Sequence, residues 1–158
     1  MAWIFELAAE FGTDREAAAR FLNHFSTLQW MWSDGSTSWI VPAEHCRFQG
    51  EYQRWWCRIV PENLSRSGWG TDAENLKMIE AGIDLYWHLL SAPDFRFALV
   101  GVEVEDALTW EDIVNGYICS GLVINEALWN AASHPGRFSV FKPGYFWQPF
   151  RVRDGQLG

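Results

Sequence analysis

A capped helix followed by an apolar strand constrains the fold of this chain more than any other feature of its sequence. Thr71 and Glu74 fit a capping box, in which each side chain accepts a hydrogen bond from the backbone amide of the other residue. Apolar residues recur at helical spacing over 72–91, and Pro93 marks the end of the helix. Residues 95–104 then alternate with two largely apolar faces, which indicates a strand deep inside a sheet.

Four elements precede this pair. The alternation of 2–11 indicates a strand, although its alanines leave a helix as the alternative. Thr13 and Glu16 form a second capping box that begins a helix over 14–27. Two strands follow, at 39–41 before Pro42 and at 52–60.

The resulting order of strand, helix, strand, strand, helix, strand resembles that of ferredoxin-like domains. The resemblance implies an α+β fold with β-α-β-β-α-β order. Beyond it, Thr109 can cap a short helix over 110–116, and 121–124 can begin a strand. Residues 138–141 and 145–147 flank a Lys-Pro-Gly turn. We therefore expect a C-terminal extension that adds a short helix and a β-hairpin.

Length and composition place the chain among single globular domains. The 158 residues can bury a sizeable core, and 49% hydrophobic with 20% charged residues is a globular composition. We therefore treat 1–158 as one domain. No stretch reaches about eighteen apolar residues, and a basic N-terminal region is missing, so we expect neither a transmembrane helix nor a signal peptide.

The three cysteines are Cys46, Cys57 and Cys119, an odd number without a CxxC pair. We therefore predict three reduced thiols and a cytoplasmic protein. The cluster Glu44-His45-Cys46 places a base beside a thiol, but neighbouring residues in an extended chain point to opposite faces. A zinc site formed by His45, Cys46 and Cys57 has no recognised spacing.

Motifs with known chemistry are missing from the sequence. It contains no GxGxxG, GxxxxGK[ST], HExxH or GxSxG pattern and no EF-hand loop. We therefore predict no catalytic residues, no metal ligands and no cofactor.

Charge separates the chain into two parts. The net charge is −8, which disfavours nucleic acid and anionic membranes as partners. Eleven acidic and two basic residues lie between Gly70 and Gly136, and 97–136 contains no lysine or arginine. A basic protein is the partner that this distribution favours.

The densest acidic run follows the apolar strand and contains one tryptophan. We predict that this run is a docking patch for a basic protein, with the tryptophan as its aromatic anchor. The alternatives are a solvated strand exit with a helix start, and a site for a divalent metal or for acid–base chemistry. The predicted partner-binding residues are Glu103, Glu105, Asp106, Trp110, Glu111 and Asp112.

In size, acidity and missing catalytic motifs the chain resembles the bacterial immunity proteins, which are small cytosolic inhibitors of cognate toxins. The resemblance implies a protein that neutralises a basic toxin or effector by occluding its site. The alternative is a small enzyme or ligand-binding module whose aromatic-lined pocket draws on the eleven tryptophans. A structural subunit that forms a stable homo-oligomer is the third interpretation.

Overall fold

The computed structural model of the chain describes residues 2–31, 35, 37–49, 52–62, 64, 66–67, 70–149, 152–153 and 156–157. Within these residues the helices are α1 (Arg15–Phe25), α2 (Asp72–Leu90), α3 (Trp110–Val114) and α4 (Glu126–Ala131). The strands are β1 (Ala2–Trp3), β2 (Phe5–Glu10), β3 (Gln29–Met31), β4 (Thr37–Gln49), β5 (Arg54–Pro61), β6 (Arg66–Ser67), β7 (Phe97–Val102), β8 (Val123–Asn125), β9 (Ser139–Lys142), β10 (Tyr145–Trp147), β11 (Val152–Arg153) and β12 (Gln156–Leu157).

One antiparallel sheet organises the fold, with the strand order β3-β4-β5-β2-β7-β8-β10-β9. Strand β2 lies near its middle, where Leu7 pairs with Ile59 of β5 and Val100 of β7. The pairs β1-β6 and β11-β12 form two separate short ladders. The predicted α+β class is confirmed, and the predicted C-terminal hairpin is present as β9 and β10.

Strand β2 divides its side chains between two different environments, because successive residues of a strand point to opposite faces. Phe5, Leu7 and Ala9 enter the larger apolar core, which α1 and α2 cover. Ala8 enters a second core on the other face, which α3 and α4 cover. Glu6 and Glu10 flank Ala8 in the alternation, and both carboxylates are buried. The second face therefore combines an apolar core with charged groups.

Two predicted element boundaries differ from the structure for local reasons. The first helix has its N-cap at Asp14, whose side chain accepts from the Ala17 amide, rather than at Thr13. Strand β4 continues through Pro42, which was predicted to stop it. On one side of β4, Pro42 pairs with Ile59 of β5. On the other side, β3 pairs only with Thr37 to Trp39 and does not extend to Pro42. Pro42 therefore lies on an edge segment, which is where proline is tolerated in a sheet.

Helix α2 begins with the predicted capping box between Thr71 and Glu74. It packs on the sheet through Ala81, Leu85 and Leu89. Tyr86 ties it to the sheet, because its hydroxyl donates to the Gly121 carbonyl at 2.8 Å and accepts from the Val100 amide at 3.3 Å. None of the helices in the described part of the chain has the length and hydropathy needed to cross a membrane.

Candidate functional site

The acidic segment 103–112 leaves the end of β7 through a turn with unusual backbone angles. Glu103 and Asp106 both have positive φ, at 51° and 59°. The Glu103 amide donates to the Ile4 carbonyl at 2.8 Å, which fixes the start of the turn. The side chains of Glu103 and Asp106 are exposed. These two carboxylates are therefore presented to solvent by a turn that is anchored to the sheet.

Glu105 turns inward toward the charged face of the sheet. Its amide donates to Glu6 Oε1 at 2.9 Å, and its Oε2 lies 3.3 Å from Arg58 Nε. Arg58 Nη2 also lies 2.6 Å from Glu6 Oε2. One guanidinium therefore bridges a carboxylate of the central strand and a carboxylate of the acidic segment. Such pairing is required, because an unpaired buried charge is strongly destabilising.

A second ionic cluster lies farther along the same face. Glu10 Oε1 accepts from the Gly12 amide at 2.7 Å, and its Oε2 lies 3.2 Å from Arg96 Nε. Burial raises the pKa of Glu10 against the opposing effect of Arg96, and burial lowers the pKa of Arg96. The Arg96 guanidinium lies 4.0 Å from the ring centroid of Trp110. Glu111 Oε1 lies 3.7 Å from Arg54 Nη2.

Asp112 performs a local structural task at the start of α3. Its Oδ2 accepts from the Thr109 hydroxyl at 2.7 Å and from the Thr109 amide at 2.9 Å. The Asp112 amide in turn donates to the Thr109 hydroxyl at 3.0 Å. Hydrogen bonds from the Thr109 side chain and backbone lower the pKa of Asp112. The predicted cap at Thr109 is confirmed, and it is a complete capping box.

The six predicted partner-binding residues therefore fall into two groups. Glu105, Trp110, Glu111 and Asp112 all make contacts within the chain. Glu103 and Asp106 are the two exposed acids of the segment. The predicted docking role of all six remains a prediction, and the geometry adds a structural role for four of them.

A surface that sequence reasoning did not single out lies on α2. Four large apolar side chains of this helix are exposed to solvent, away from its packed residues. Their exposed fractions are 54% for Leu76, 64% for Ile83, 70% for Trp87 and 37% for Leu90. They belong to the apolar stripe by which the sequence reveals the helix, whereas Ala81, Leu85 and Leu89 form the buried face. The sequence could have revealed this surface, because apolar residues on two faces of one helix indicate more apolar surface than packing on the sheet requires.

Glu80 and Asp84 accompany this exposed apolar face. Both lie on the solvent side of α2 and are half-buried. Burial lowers the pKa of His88, and Asp84, one turn earlier, opposes this effect in part. The outer face of α2 therefore combines large apolar side chains with negative charge.

Two of the described histidines, His24 and His134, make contacts within the chain. His24 Nε2 lies 3.3 Å from the His88 carbonyl, and His134 stacks on Trp129 at 4.0 Å. The side chains of Glu44, His45 and Cys46 lie outside the described residues, so the cluster Glu44-His45-Cys46 is not tested. Within the described residues, no three His, Cys, Asp or Glu side chains come together as metal ligands would.

Cys119 and Cys57 differ in oxidation state. Cys119 is a free thiol, whose pKa is raised by burial. Cys57 is buried in the larger core and is disulfide-bonded. The prediction of three reduced thiols is therefore wrong at Cys57.

Comparison with protein-family models, with curated proteins and with solved structures found no match to this chain.

Proposed function

We propose that this chain is an acidic protein-binding domain that docks onto a basic protein, and that it acts as an immunity-type inhibitor by occluding its partner's site. The exposed apolar face of α2 is the observation that carries the proposal. Large apolar patches on a small domain mark contact surfaces, because leaving them in water is unfavourable. Tryptophan is also one of the side chains enriched among the residues that dominate binding energy.

Charge supplies the second support. The chain carries −8, and acids accompany the apolar side chains of α2. Complementary charge accelerates association and disfavours acidic competitors. Inhibition by such a surface needs no chemistry in this chain, because covering the partner's site is sufficient.

The acidic segment 103–112 has a smaller part in this proposal. Glu103 and Asp106 are exposed and are the acids that a basic partner can contact directly. Glu105 and Glu111 are paired with Arg58 and Arg54, so we assign them to holding the segment in place. A charge-reversal test is therefore limited to Glu103→Lys and Asp106→Lys, which spares the ion pairs.

We also propose a ferredoxin-like unit within the fold. The strand order β4-β5-β2-β7 supports it. If β3 is treated as an addition to the edge strand β4, these are the second, third, first and fourth strands of the β-α-β-β-α-β order, which is their order across a ferredoxin-like sheet. The packing of α1 and α2 into one core on one face of the sheet is the second support.

A cytoplasmic location is also a proposal. The disulfide at Cys57 argues against this location, since disulfides persist in oxidising compartments.

A second candidate function is a ligand-binding module centred on the second ionic cluster. Four buried polar atoms there do not meet hydrogen-bond geometry, although two of them, Glu10 Oε2 and Arg96 Nε, face each other as an ion pair at 3.2 Å. They are Glu10 Oε2, Arg54 Nε, Arg96 Nε and Glu111 Oε2. Thermal denaturation with added carboxylates and amidinium compounds tests this candidate, and a stabilisation that Glu10→Gln abolishes would support it.

Capture from a lysate of the native host tests the leading proposal. The wild type is compared with the double variant Ile83→Ala/Trp87→Ala and with the control Tyr117→Ala, which also removes an exposed aromatic side chain. We expect one basic protein to be retained by the wild type and the control and lost by the double variant. Adding the wild type to that purified protein should then block its activity. Equal retention by all three chains would contradict the proposal.

A further inference from the structure

The exposed large apolar residues of α2 and the half-buried Glu80 fit a heptad repeat. Leu76, Ile83 and Leu90 are seven residues apart, and so are Glu80 and Trp87. Each residue of the second series comes four residues after one member of the first series and three residues before the next. This is the spacing of a coiled coil, with the first series at d positions and the second at a positions. Four of the five positions are large and apolar, and the fifth is Glu80. We call these five residues the α2 seam.

The α2 seam is distinct from the face that holds α2 in the fold. Ala81, Leu85 and Leu89 occupy other positions of the heptad and are buried against the sheet. The helix is therefore already stabilised without its a and d residues. A helix needs one apolar face to pack on its own domain. A second apolar face with its own repeat indicates a second packing partner.

We propose that the α2 seam pairs with a basic amphipathic helix of a partner protein. This inference rests on the proposed function, since it takes the partner to be a protein, and it adds the kind of segment that binds. From Leu76 to Leu90 the seam rises about 21 Å at the rise per residue of an α-helix. That length corresponds to about two heptads, whereas an independent coiled coil needs at least three or four. The seam is therefore suited to contact with one helix that is already held in place within a folded partner.

The charge balance of α2 favours a basic partner helix, because α2 carries four acids and one base, namely Asp72, Glu74, Glu80 and Asp84 against Lys77. Glu80 occupies an a position, and Asp84 lies beside it in the neighbouring e position. A Lys or Arg of the partner helix can face Glu80, and a charged residue at an a position fixes the register of a pair. A second copy of α2 that paired in parallel and in register would instead bring Glu80 and Asp84 of both chains together along a short seam. Like charges at such close quarters disfavour that form of self-pairing.

Photo-crosslinking from the seam tests this inference. Ile83→p-benzoylphenylalanine places the reactive group on the seam, and Tyr117→p-benzoylphenylalanine places it at a control site of similar exposure. Each chain is irradiated in host lysate, and the crosslinked peptides are sequenced by mass spectrometry. We expect crosslinks from position 83 alone, ending in a segment with apolar a and d residues and an excess of Lys and Arg.

Several results would overturn the inference. One is a crosslink from position 83 to a second copy of this chain. Another is a crosslink from position 83 to an acidic or non-helical segment. The third is a protein that is captured by the chain but forms no crosslink at position 83. Each of these leaves the proposed function standing, because a protein is still bound, unless that protein is this chain itself. Sedimentation with phosphatidylcholine vesicles that Trp87→Ala abolishes would assign the seam to lipid. If no protein is bound by any chain, both proposals fail.

A charge variant gives an independent readout. Glu80→Lys should weaken binding of the crosslinked partner by about thirtyfold or more, whereas Glu80→Gln should weaken it less. Circular dichroism controls for the integrity of the helix. Equal affinities of Glu80→Lys and the wild type would contradict the basic character of the partner helix.

Discussion

The guanidinium of Arg96 lies 4.0 Å from the ring centroid of Trp110, so this tryptophan is held against a cation of its own chain. Arg96 is also paired with Glu10 of the central strand. The contact therefore links α3 to the charged face of the sheet. The sequence presents Trp110 among acids, as a binding anchor would be, and the structure adds an internal contact to that feature.

Trp110→Ala should lower the free energy of unfolding by about 1–3 kcal/mol, because it removes the contact with Arg96 and the packing of a half-buried ring. Urea denaturation measures the change. Trp110→Phe is the matched control, since it keeps an aromatic face over Arg96 and should lose less. A Trp110→Ala variant as stable as the wild type would show that the contact contributes nothing.

Arg58→Met should destabilise the fold by about 3–5 kcal/mol, because the fully buried Glu6 would lose the guanidinium that pairs its carboxylate and Glu105 would lose its contact with Arg58. Arg20→Met is the matched control. The pair of Arg20 with Glu16 is exposed, and its loss should cost less than about 0.5 kcal/mol. Chemical denaturation of both variants checks the contrast, and similar losses would contradict the bridging role of Arg58.

The two faces of α2 should respond differently to the same substitution. Leu85→Ala removes a fully buried side chain and should cost about 2–5 kcal/mol. Leu76→Ala removes an exposed one and should change stability by no more than about 0.5 kcal/mol. Thermal and urea denaturation compare them. A large loss from Leu76→Ala would mean that this residue is packed within the domain.

Glu10 should make stability depend on pH in a direction opposite to that of a paired surface carboxylate. Its pKa in the folded state is raised above the ordinary value of 4.5, so between these two values the folded state binds more protons than the unfolded state. The contribution of Glu10 is then fully present below 4.5 and is lost as the pH rises through the folded pKa. Glu10→Gln removes this dependence.

Urea denaturation of the wild type and Glu10→Gln across this pH range measures the effect. The stability of the variant relative to the wild type should increase as the pH rises from acid toward neutral. A relative stability that decreases with pH would mean that Arg96 dominates and that the pKa of Glu10 is lowered.

Local sequence signals predicted much of the fold. The boxes Thr71–Glu74 and Thr109–Asp112 begin α2 and α3, because a cap depends on residues close in the chain. Helix α4 was not predicted, although Asn125 caps it by accepting from the Leu128 amide. A single cap before six residues is too weak a signal without the sheet that α4 packs on.

The candidate site was harder to predict, because it depends on contacts between distant residues. Arg58 lies far from Glu105 in the sequence, so nothing local shows that this acid is paired. The exposure of Trp87 was hidden for the same reason. Both faces of α2 are apolar in sequence, and only the sheet decides which face is buried.

The most direct test of the docking surface on α2 is the affinity of the captured basic protein for purified variants, measured by calorimetric titration. Trp87→Ala should weaken binding by about thirtyfold or more, as truncation of a central aromatic anchor does. Tyr117→Ala should leave the affinity unchanged, and both variants should keep the wild-type melting temperature. If Trp87→Ala binds as tightly as the wild type, the outer face of α2 is not the docking surface and the central claim is wrong.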